Sequence, residues 1–343
     1  MCIYVTVEKI QVSLQDTQYC KEKPPWPNGF YDQRCEWLLG PQEFDSLNNT
    51  ASNISKKSNL QLVRNINAKV TEYAPLVFSH IRYQDGLSNS EIANSLLELF
   101  GKDIKDSIRP YLGDQKALYS QDKRFVIKLI PEDDRVNLVE NILPKYHEHL
   151  TKSSNKSLLS RILGIYTVFS KETFDILLLQ NFYPPEIQPL ATFELKGTKL
   201  HRQVLCDSSI ASAWEVSQNL ILKDLDFFQV QQFILVSFLD QSWLGRVIPQ
   251  DVSFLKEMQT LDYSLFVGVT NNAAVKKHSL PSRYSRHIYL GKGVQSSQVF
   301  VVGLVDFFKQ SLDTNSSCFE VCPQDYSKRF LNFALSIVKC DFL

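Results

Sequence analysis

The chain has 343 residues, of which 44% are hydrophobic and 22% are charged, and 37 basic residues balance 37 acidic ones. This balance excludes a globally basic nucleic-acid-binding protein, because that class needs an excess of positive charge, so no nucleic acid is expected as a partner. The 22 phenylalanines and 14 tyrosines can fill a sizeable core, which excludes disorder throughout the chain. A chain of this length forms one large two-lobed domain or two ordinary domains.

The cysteines and the apolar runs bear on the cellular compartment. The chain has seven cysteines, an odd number, and no Cys-x-x-Cys pair, which favours reduced cytosolic thiols over a disulfide framework. The first apolar run, Cys2–Val7, is too short for the core of a signal peptide, and Val299–Val305 is too short to span a bilayer. We therefore expect a cytoplasmic protein that meets membranes only peripherally, at their cytosolic face.

Residues 1–60 are predicted to form a poorly ordered N-terminal extension. They combine a Pro/Trp stretch at Pro24–Gly29 with a polar run at Ser46–Asn59. Neither composition favours packing into a core. The predicted folded domain therefore begins near residue 61.

Two helices are predicted next. Apolar residues recur every four positions from Tyr73 to Ile81, which predicts an amphipathic helix that ends near Asp85-Gly86. Ser88, followed three residues later by Glu91, has the spacing of a capping box and predicts the start of a second helix.

Two hairpins flank a further helix. Ala117–Ser120 and Arg124–Ile130 are predicted to pair across a turn, and Leu163–Phe169 pairs with Thr173–Leu179 in the same way. Between the hairpins, Pro131 and the acids that follow it predict a helix that runs to about Leu150. This order predicts an α+β fold with a mainly antiparallel sheet.

The second half of the chain changes character. The patterns predict a short strand at Phe193–Lys196, a helical apolar stretch at Phe228–Leu239 and a terminal amphipathic helix at Tyr326–Val338. Two further strands are predicted at Tyr284–Leu290 and Val299–Val305.

Several familiar catalytic motifs are absent from the sequence. It has no Gly-x-x-x-x-Gly-Lys-Ser/Thr, no Gly-x-Gly-x-x-Gly, no Gly-x-Ser-x-Gly and no His-Glu-x-x-His string. His147 and His149 are two residues apart and lie on different helix faces, so we interpret them as core or solvated histidines and not as metal ligands.

Two carboxylates stand in unusual places. Asp306 interrupts the apolar run Val299–Phe308, and Asp262 interrupts the run from Leu261 to Val269. A lone acid in such a run is costly to bury unless it meets a cation or hydrogen-bond donors. Together with Lys128 on a predicted strand, these acids fit metal-assisted phosphoryl transfer. Each also has an ordinary structural interpretation, such as a surface lysine on an edge strand.

Several short sequence segments, called strings below, support the interpretation as a site of phosphoryl transfer. They are Tyr73-Ala74-Pro75, Ser120–Lys128, Phe193-Glu194-Leu195-Lys196-Gly197-Thr198, Leu222–Phe227, Leu261-Asp262-Tyr263-Ser264-Leu265, Val302–Asp306 and Tyr326–Phe330. In this order they resemble the phosphatidylinositol phosphate kinases. Some strings are closer to the 4-phosphate 5-kinase-like branch and the last is closer to the type II branch, so the branch stays open.

The resemblance implies a two-lobed protein-kinase-like lipid kinase fold, with an antiparallel N-lobe sheet and a mixed C-lobe. The kinase domain would cover residues 61–343, with the N-lobe at about 61–180 and the C-lobe at about 181–343. ATP and Mg²⁺ would be its cofactors. Its substrate would be a phosphatidylinositol monophosphate in an anionic membrane, converted to a bisphosphate, with a 4-phosphate 5-kinase type favoured. A homodimer, or a heterodimer with related lipid kinases, would also be expected.

The resemblance also implies roles for individual residues. Asp262 would be the catalytic acid near the inositol hydroxyl, Lys196 would contact a phosphate, and Asp306 would bind Mg²⁺. The implied nucleotide-binding residues are Lys128 for the α- and β-phosphates, Val126 in the adenine pocket, and the hinge Leu179, Gln180 and Asn181, whose backbone would read adenine.

A basic run from residue 276 to 292 is the candidate membrane surface. It contains Lys276, Lys277, Arg283, Arg286 and Lys292, with no acidic residue between them. The run is either a solvated loop or a surface that attracts anionic lipid.

The sequence departs from the family in three places. The loop from Gly113 to Leu118 has few small residues that would let the backbone approach phosphate. Glu194 replaces an aspartate, and the segment Lys309–Glu320 is short and polar. No spacing identifies the glutamate that would pair with Lys128, for which Glu140 and Glu132 are candidates. A working lipid kinase and a weak or inactive relative that positions other lipid kinases therefore both remain open.

Overall fold

The computed structural model describes residues 34–39, 68–97, 108–110, 116–120, 122–154, 156–169, 173–205, 220–270, 280–292, 297–310 and 322–341. These residues fall into two compact units. Described residues of the first unit lie within Met1–Arg109, Ala117–His147 and Arg161–Asn181. Those of the second lie within Pro110–Lys116, Glu148–Ser160 and Phe182–Leu343. Both units contain helices and sheets, which confirms the predicted α+β class at that level.

The first unit is built on a seven-stranded sheet. Its strands are β1 (Arg34–Leu39), β2 (Ala68–Tyr73), β3 (Ile108–Pro110), β4 (Lys116–Tyr119), β5 (Phe125–Ile130), β6 (Ile162–Phe169) and β7 (Thr173–Gln180). Their order across the sheet is β1-β2-β6-β7-β5-β4-β3, and neighbours from β1 to β4 in that order are antiparallel. Both predicted hairpins are confirmed as β4–β5 and β6–β7.

Two expectations at the N-terminal side are wrong in part. Arg34–Leu39, which the sequence assigned to a poorly ordered extension, pairs with β2 along its whole length. The predicted helix around Tyr73 begins only at Pro75, because residues 68–73 form β2. In both places the deciding interaction is strand pairing, β1 with β2 and β2 with the distant β6, and local composition does not reveal it.

Helices of the first unit follow the predicted signals closely. They are α1 (Pro75–Gln84), α2 (Asn89–Leu97), α3 (Glu132–Asn137), a π-helical turn (Leu138–Ile142) and α4 (Leu143–Lys152), whose last five residues belong to the second unit. The capping box is confirmed at α2, where the Ser88 backbone N–H donates to Glu91 at 3.0 Å and the Glu91 N–H donates to Ser88 Oγ at 3.1 Å. The helix from residue 132 to 152 matches the prediction after Pro131.

The core of the first unit lies on one face of its sheet. Ile92 and Leu96 of α2 pack there with Phe125 and Ile127 of β5. Lys128 therefore belongs to the opposite face of β5, because successive side chains of a strand point to opposite faces of the sheet.

The second unit contains a mixed seven-stranded sheet. Its strands are β8 (Ala191–Leu195), β9 (Ile221–Leu222), β10 (Ile234–Val236), β12 (Ser264–Thr270), β13 (Ile288–Lys292), β14 (Ser297–Val305) and β16 (Val338–Cys340). Their order is β16-β10-β13-β14-β12-β8-β9, with parallel pairs only at the two ends. A separate two-stranded sheet pairs β11 (Thr260–Leu261) with β15 (Lys309–Gln310).

Four helices accompany this sheet among the described residues. They are α5 (Asp224–Val230), α6 (Phe238–Glu257), α7 (Ser282–Ser285) and α8 (Pro323–Ile337). The predicted terminal helix is confirmed as α8, which packs against α6. Among the described residues, no helix is both long and apolar enough to cross a bilayer.

The prediction of one helical stretch at Phe228–Leu239 is wrong. The segment contains the end of α5, the strand β10 and the start of α6, where Ser237 Oγ accepts from the Asp240 N–H. Pairing of β10 with β13 and β16 overrides the helical pattern. The predicted strand at Tyr284–Leu290 is likewise confirmed only from Ile288, because residues 282–285 form α7.

Gly303 on β14 gives a stability prediction. A Cβ at this position would lie 2.3 Å from the ring of Phe182, which is itself stacked on Phe266. Since that ring has little room to move, Gly303→Ala should lower the free energy of unfolding by about 1–3 kcal/mol. Gly245 on exposed α6 meets nothing within 4 Å, so Gly245→Ala should instead stabilise the protein by about 0.5–1 kcal/mol. Urea denaturation of both variants tests this contrast, and equal effects would contradict it.

A buried histidine pair gives a pH prediction. His80 Nδ1 lies 2.7 Å from His147 Nε2, and burial together with His80 lowers the pKa of His147 to about 4. The unfolded chain therefore binds a proton near pH 6.5 that the folded chain does not bind until about pH 4. This site should make the protein about 2–3 kcal/mol less stable at pH 4 than at pH 7. Thermal unfolding of wild type and His147→Gln across that range should show a smaller loss in the variant, and parallel curves would disprove the assignment.

Candidate functional site

Three neighbouring strands of the second sheet bring three predicted site residues to one edge. The strand β12 runs antiparallel to both β8 and β14. Asp262 precedes β12, whereas Lys196 follows β8 and Asp306 follows β14. Because the start of a strand lies beside the ends of its antiparallel neighbours, this register places all three residues at the same edge.

Both aspartates lie in turns with a left-handed backbone. Asp262 has a φ of 63° and Asp306 a φ of 57°. This conformation costs roughly 1–2 kcal/mol for a residue other than glycine, although aspartate tolerates it better than most. Such strain persists only where the surrounding structure fixes it, and it is found preferentially at functional sites.

Asp306 lies just beyond the end of a strand. The strand predicted at Val299–Val305 is confirmed as β14, which begins at Ser297 and ends at Val305. Phe307 and Phe308 beyond the turn are buried, so the apolar pattern continues past the end of the strand. Asp306 is thereby only half-buried at the sheet edge.

The carboxylate of Asp262 is held between two ammonium groups. Lys196 Nζ donates to Oδ1, and Lys309 Nζ donates to Oδ2 at 3.0 Å. Burial by itself would raise the pKa of Asp262, but the hydrogen bonds and charges of the two lysines outweigh it, and the pKa lies below its usual value. Asp262 is therefore a carboxylate at neutral pH.

Glu194 supports Lys196 from the other side. Its Oε1 lies 3.7 Å from Lys196 Nζ and accepts a hydrogen bond from Ser264 Oγ at 2.9 Å. Glu194 is almost fully buried on β8. The residue that departs from the family pattern thus lies within the hydrogen-bonded surroundings of Lys196.

Two buried aspartates of the Leu222–Phe227 string anchor the loop after β8. Asp224 accepts from the backbone N–H groups of Lys196 and Gly197, at 3.0 and 2.8 Å, and from Arg202 Nε at 2.7 Å. Asp226 accepts three further backbone N–H groups, those of residues 204, 205 and 223. Buried carboxylates need such donors, so this string has a structural role in positioning Lys196.

Helix α8 fixes the residue that follows Asp262. The hydroxyl of Tyr326 donates to the backbone carbonyl of Tyr263, and the two rings meet edge-to-face at 4.8 Å. Phe330 packs on Tyr263 at 4.9 Å, and the guanidinium of Arg329 lies 4.8 Å from the centre of the Tyr326 ring. The Tyr326–Phe330 string therefore stabilises the turn that carries Asp262.

Asp306 could hold a magnesium ion. Mg²⁺ prefers oxygen ligands and commonly takes one or two carboxylates, with phosphate oxygens and waters completing its octahedron. Within the described ranges, no group of three or more histidine, cysteine or acidic side chains has metal-ligand geometry. One half-buried carboxylate at a sheet edge fits an ion that is bound largely by substrate phosphates, and not a closed structural site.

The first unit carries the candidate nucleotide-binding residues. Lys128 lies on β5 between Ala117 of β4 and Leu177 of β7, and it is 2% exposed. Val126 is directly opposite Leu179, and both are buried. The structure thus places the predicted lysine and the predicted apolar pair on two central strands of one sheet.

The predicted hinge backbone already has internal partners. The Gln180 N–H donates to the Arg161 carbonyl at 3.0 Å, and the Asn181 N–H donates to the Arg124 carbonyl at 2.9 Å. An adenine ring could accept from these N–H groups only by replacing one of those bonds. Adenine recognition by residues 179–181 therefore stays a prediction.

Neither candidate glutamate is shown beside Lys128. Glu140 is exposed on the π-helical turn, and Glu132 pairs with Arg135 at 3.1 Å. The pairing stays a prediction. The predicted phosphate loop lies largely outside the described residues, which begin again at Lys116.

The basic run is only partly described. Lys276 and Lys277 lie outside the described residues. Arg283 is partly exposed, with its guanidinium 5.4 Å from the ring centre of Tyr284. Arg286 differs from the expectation of a surface charge, because it is 8% exposed and its Nε donates to His287 Nε2 at 3.2 Å.

The two histidines of α4 have separate partners, as their spacing indicated. His147 pairs with His80, whereas His149 Nε2 lies 2.6 Å from Asp251.

Sequence reasoning assigned no role to several residues of this site. Lys309 contacts Asp262 and Asp224 contacts the backbone of Lys196. Arg202 and Tyr326 act one residue further away, through Asp224 and Tyr263. Asp224 and Tyr326 lie in two of the segments that resemble the family, and this resemblance could have pointed to them. Lys309 had no signal, because only the pairing of β11 with β15 brings it to Asp262.

Comparisons with known proteins bear on the same residues. A family model described as phosphatidylinositol-4-phosphate 5-kinase matches residues 113–300, more than half of the chain, including Lys128, Lys196 and Asp262. A probable phosphatidylinositol phosphate kinase of Dictyostelium discoideum is 30% identical over 213 residues, covering 59% of this chain and 28% of that protein.

Two further relatives carry more specific names. Phosphatidylinositol 5-phosphate 4-kinase type-2 alpha of Rattus norvegicus is 30% identical over 210 residues, covering 59% of this chain and 47% of that protein. Phosphatidylinositol 4-phosphate 5-kinase of Plasmodium falciparum is 25% identical over 349 residues, covering 84% of this chain and 20% of that protein. In each case the match covers less than half of the relative's own length.

The contact between Tyr326 and Tyr263 gives a stability prediction. Tyr326→Phe removes one buried hydroxyl and leaves the Tyr263 carbonyl without that donor. The free energy of unfolding should fall by about 1–2 kcal/mol. Ser336 on the same helix carries an exposed hydroxyl, so Ser336→Ala should change stability by less than about 0.5 kcal/mol. Denaturant titrations measure both, and a Tyr326→Phe variant as stable as wild type would show that this contact does not hold the turn.

Proposed function

Because the chain belongs to the phosphatidylinositol phosphate kinase family, we propose that it transfers the γ-phosphate of ATP to a ring hydroxyl of a phosphatidylinositol monophosphate. The product is a phosphatidylinositol bisphosphate, and a 4-phosphate 5-kinase type is favoured. The observation that carries the proposal is the contact of Lys196 with Asp262 at the sheet edge where Asp306 also lies, directly after β14.

Each of these side chains has a definite task in that reaction. The carboxylate of Asp262 accepts a hydrogen bond from the attacking ring hydroxyl and takes its proton as the new P–O bond forms. Lys196 donates to the phosphoryl oxygens while the bond to the ADP oxygen breaks. Glu194 and Asp224 act only by holding Lys196 in place.

Mg²⁺ would be held by Asp306. When bound, such an ion neutralises charge on the phosphate oxygens of ATP. Lys128 of the first unit would contact the α- and β-phosphates, and Val126 with Leu179 would line the adenine pocket. We propose that the two compact units are the two lobes of a protein-kinase-like fold.

A second candidate function is an inactive relative that binds other phosphatidylinositol phosphate kinases and positions them. The specific observation in its favour is that both oxygens of Asp262 already accept from lysines. In that state two ammonium groups compete with a substrate hydroxyl for the carboxylate, each occupying one acceptor position on one oxygen. Homodimers or heterodimers with related lipid kinases would be the form in which this function operates.

Membrane attachment is proposed to be peripheral, at the cytosolic face. Lys276, Lys277 and Arg283 would contribute attraction to anionic lipid, worth about 1 kcal/mol for each basic residue near the surface. The burial of Arg286 does not favour a place for it in this surface.

The activity is tested by transfer of radiolabelled phosphate from ATP to each phosphatidylinositol monophosphate in vesicles. Wild type should give a labelled bisphosphate. Asp306→Asn and Asp262→Asn should each lower the rate at least about a hundredfold, because each keeps the side-chain shape and removes the charge. Asp325 is an exposed acid at the start of α8, and Asp325→Asn should leave the rate unchanged.

Thermal unfolding of the same variants separates chemistry from folding. Asp306→Asn should be at least as stable as wild type, since a charged group held ready for a metal is not optimised for stability. Wild-type activity in either site variant would contradict the assigned roles. A wild-type protein that transfers no phosphate but binds an active lipid kinase would favour the second function.

A further inference from the structure

Lys309 is the one contact of Asp262 that the family resemblance does not account for. It lies on the two-residue strand β15, where Leu261 is directly opposite it. This pairing directs its ammonium group to Asp262 Oδ2 at 3.0 Å. The two lysines therefore bind different oxygens of the carboxylate, Lys196 from the loop after β8 and Lys309 from β15.

The two lysines are held to different extents. Lys196 is 17% exposed and lies close to Glu194, whereas Lys309 is 49% exposed. In the proposed reaction one oxygen of Asp262 must accept the ring hydroxyl. Lys309 is the partner that can leave at lower cost, because about half of its side chain is exposed and an exposed ion pair contributes little stability.

If the ring hydroxyl of the substrate displaces the Lys309 ammonium group from Asp262, that group does not move far. Its stem remains tethered at β15, next to the ring that has displaced it, and it is then available to a new anion. A monophosphorylated inositol ring brings one in the form of its own phosphate monoester, and charge-assisted hydrogen bonds to such a group are among the stronger ones in proteins.

We infer that Lys309 is a substrate-binding residue, which closes on Asp262 in the free protein and binds the ring phosphate of the inositol headgroup when substrate displaces it. This inference rests on the proposed lipid kinase function. It assigns Lys309 a part in distinguishing a phosphatidylinositol monophosphate from phosphatidylinositol, which lacks that phosphate. The γ-phosphate of ATP has the same chemistry, and the experiment separates the two sources.

The test is steady-state kinetics with a short-chain, water-soluble phosphatidylinositol monophosphate, so that vesicle binding does not contribute. Lys309→Ala should raise the KM for this lipid about tenfold or more and leave the KM for ATP unchanged. Lys309→Arg, which keeps a cation there, should retain most of the affinity. Lys256 is an exposed lysine in the last turn of α6, and Lys256→Ala is the matched control without effect.

Two kinetic results would overturn the inference. An unchanged or lowered KM for the lipid in Lys309→Ala would show that Lys309 only blocks Asp262. A raised KM for ATP with an unchanged KM for the lipid would assign Lys309 to the nucleotide. Thermal unfolding of each variant confirms that it is folded, which is expected for a half-exposed side chain.

A binding measurement keeps the inference separate from the proposed activity. If wild type transfers no phosphate, the proposed function fails, and calorimetric titration of the same lipid without ATP then decides about Lys309. Weaker binding by Lys309→Ala than by wild type and Lys256→Ala supports the inference. Equal binding by all three, or no binding by wild type, overturns it.

Discussion

The proposed active site depends on a single aspartate whose charge and backbone conformation are both constrained. Asp262 has a left-handed backbone, and its carboxylate contacts Lys196 and Lys309. Two ammonium groups on one carboxylate keep it ionised despite its partial burial. The same contacts connect the turn that carries Asp262 to β8 on one side and to β15 on the other.

Two buried acids fix the residues that follow β8 and so position Lys196. Asp224 and Asp226 accept hydrogen bonds from five backbone N–H groups and Arg202, and nearly all their surface is withdrawn from water. Such carboxylates are stable only when fully paired, so the loop that follows β8 has little conformational freedom. Rigid positioning of this kind is what a phosphate-contacting lysine needs, because transition-state stabilisation falls off steeply with misplacement.

The replacement of an aspartate by Glu194 can be understood in the same terms. The longer side chain is accommodated by Ser264 and by proximity to Lys196 and Arg202. The extra methylene is therefore accommodated beside Lys196 without leaving a buried charge unpaired.

Local signals in the sequence determined the elements whose hydrogen bonds and contacts are formed between residues close together in the chain. The capping box of Ser88 and Glu91, the hairpin from residue 116 to 130 and the terminal helix α8 all follow from patterns of a few residues. The alternation along β5 also placed Lys128 on the face opposite the core residues Phe125 and Ile127. The sequence segments that resemble the family, taken in order along the chain, assigned Asp262, Asp306 and Lys196 to one proposed site.

Only the tertiary structure decided what depends on distant pairing. Pairing with β2 made a strand of Arg34–Leu39, and pairing with β13 and β16 made a strand of residues 234–236 inside an apolar stretch that looked helical. The burial of Phe307 and Phe308 beyond the end of β14 was likewise decided by packing and not by the strand pattern. Lys309 reaches Asp262 for the same reason: the register of β15 on β11 is set by strand contacts far apart in the chain, and no local pattern encodes it.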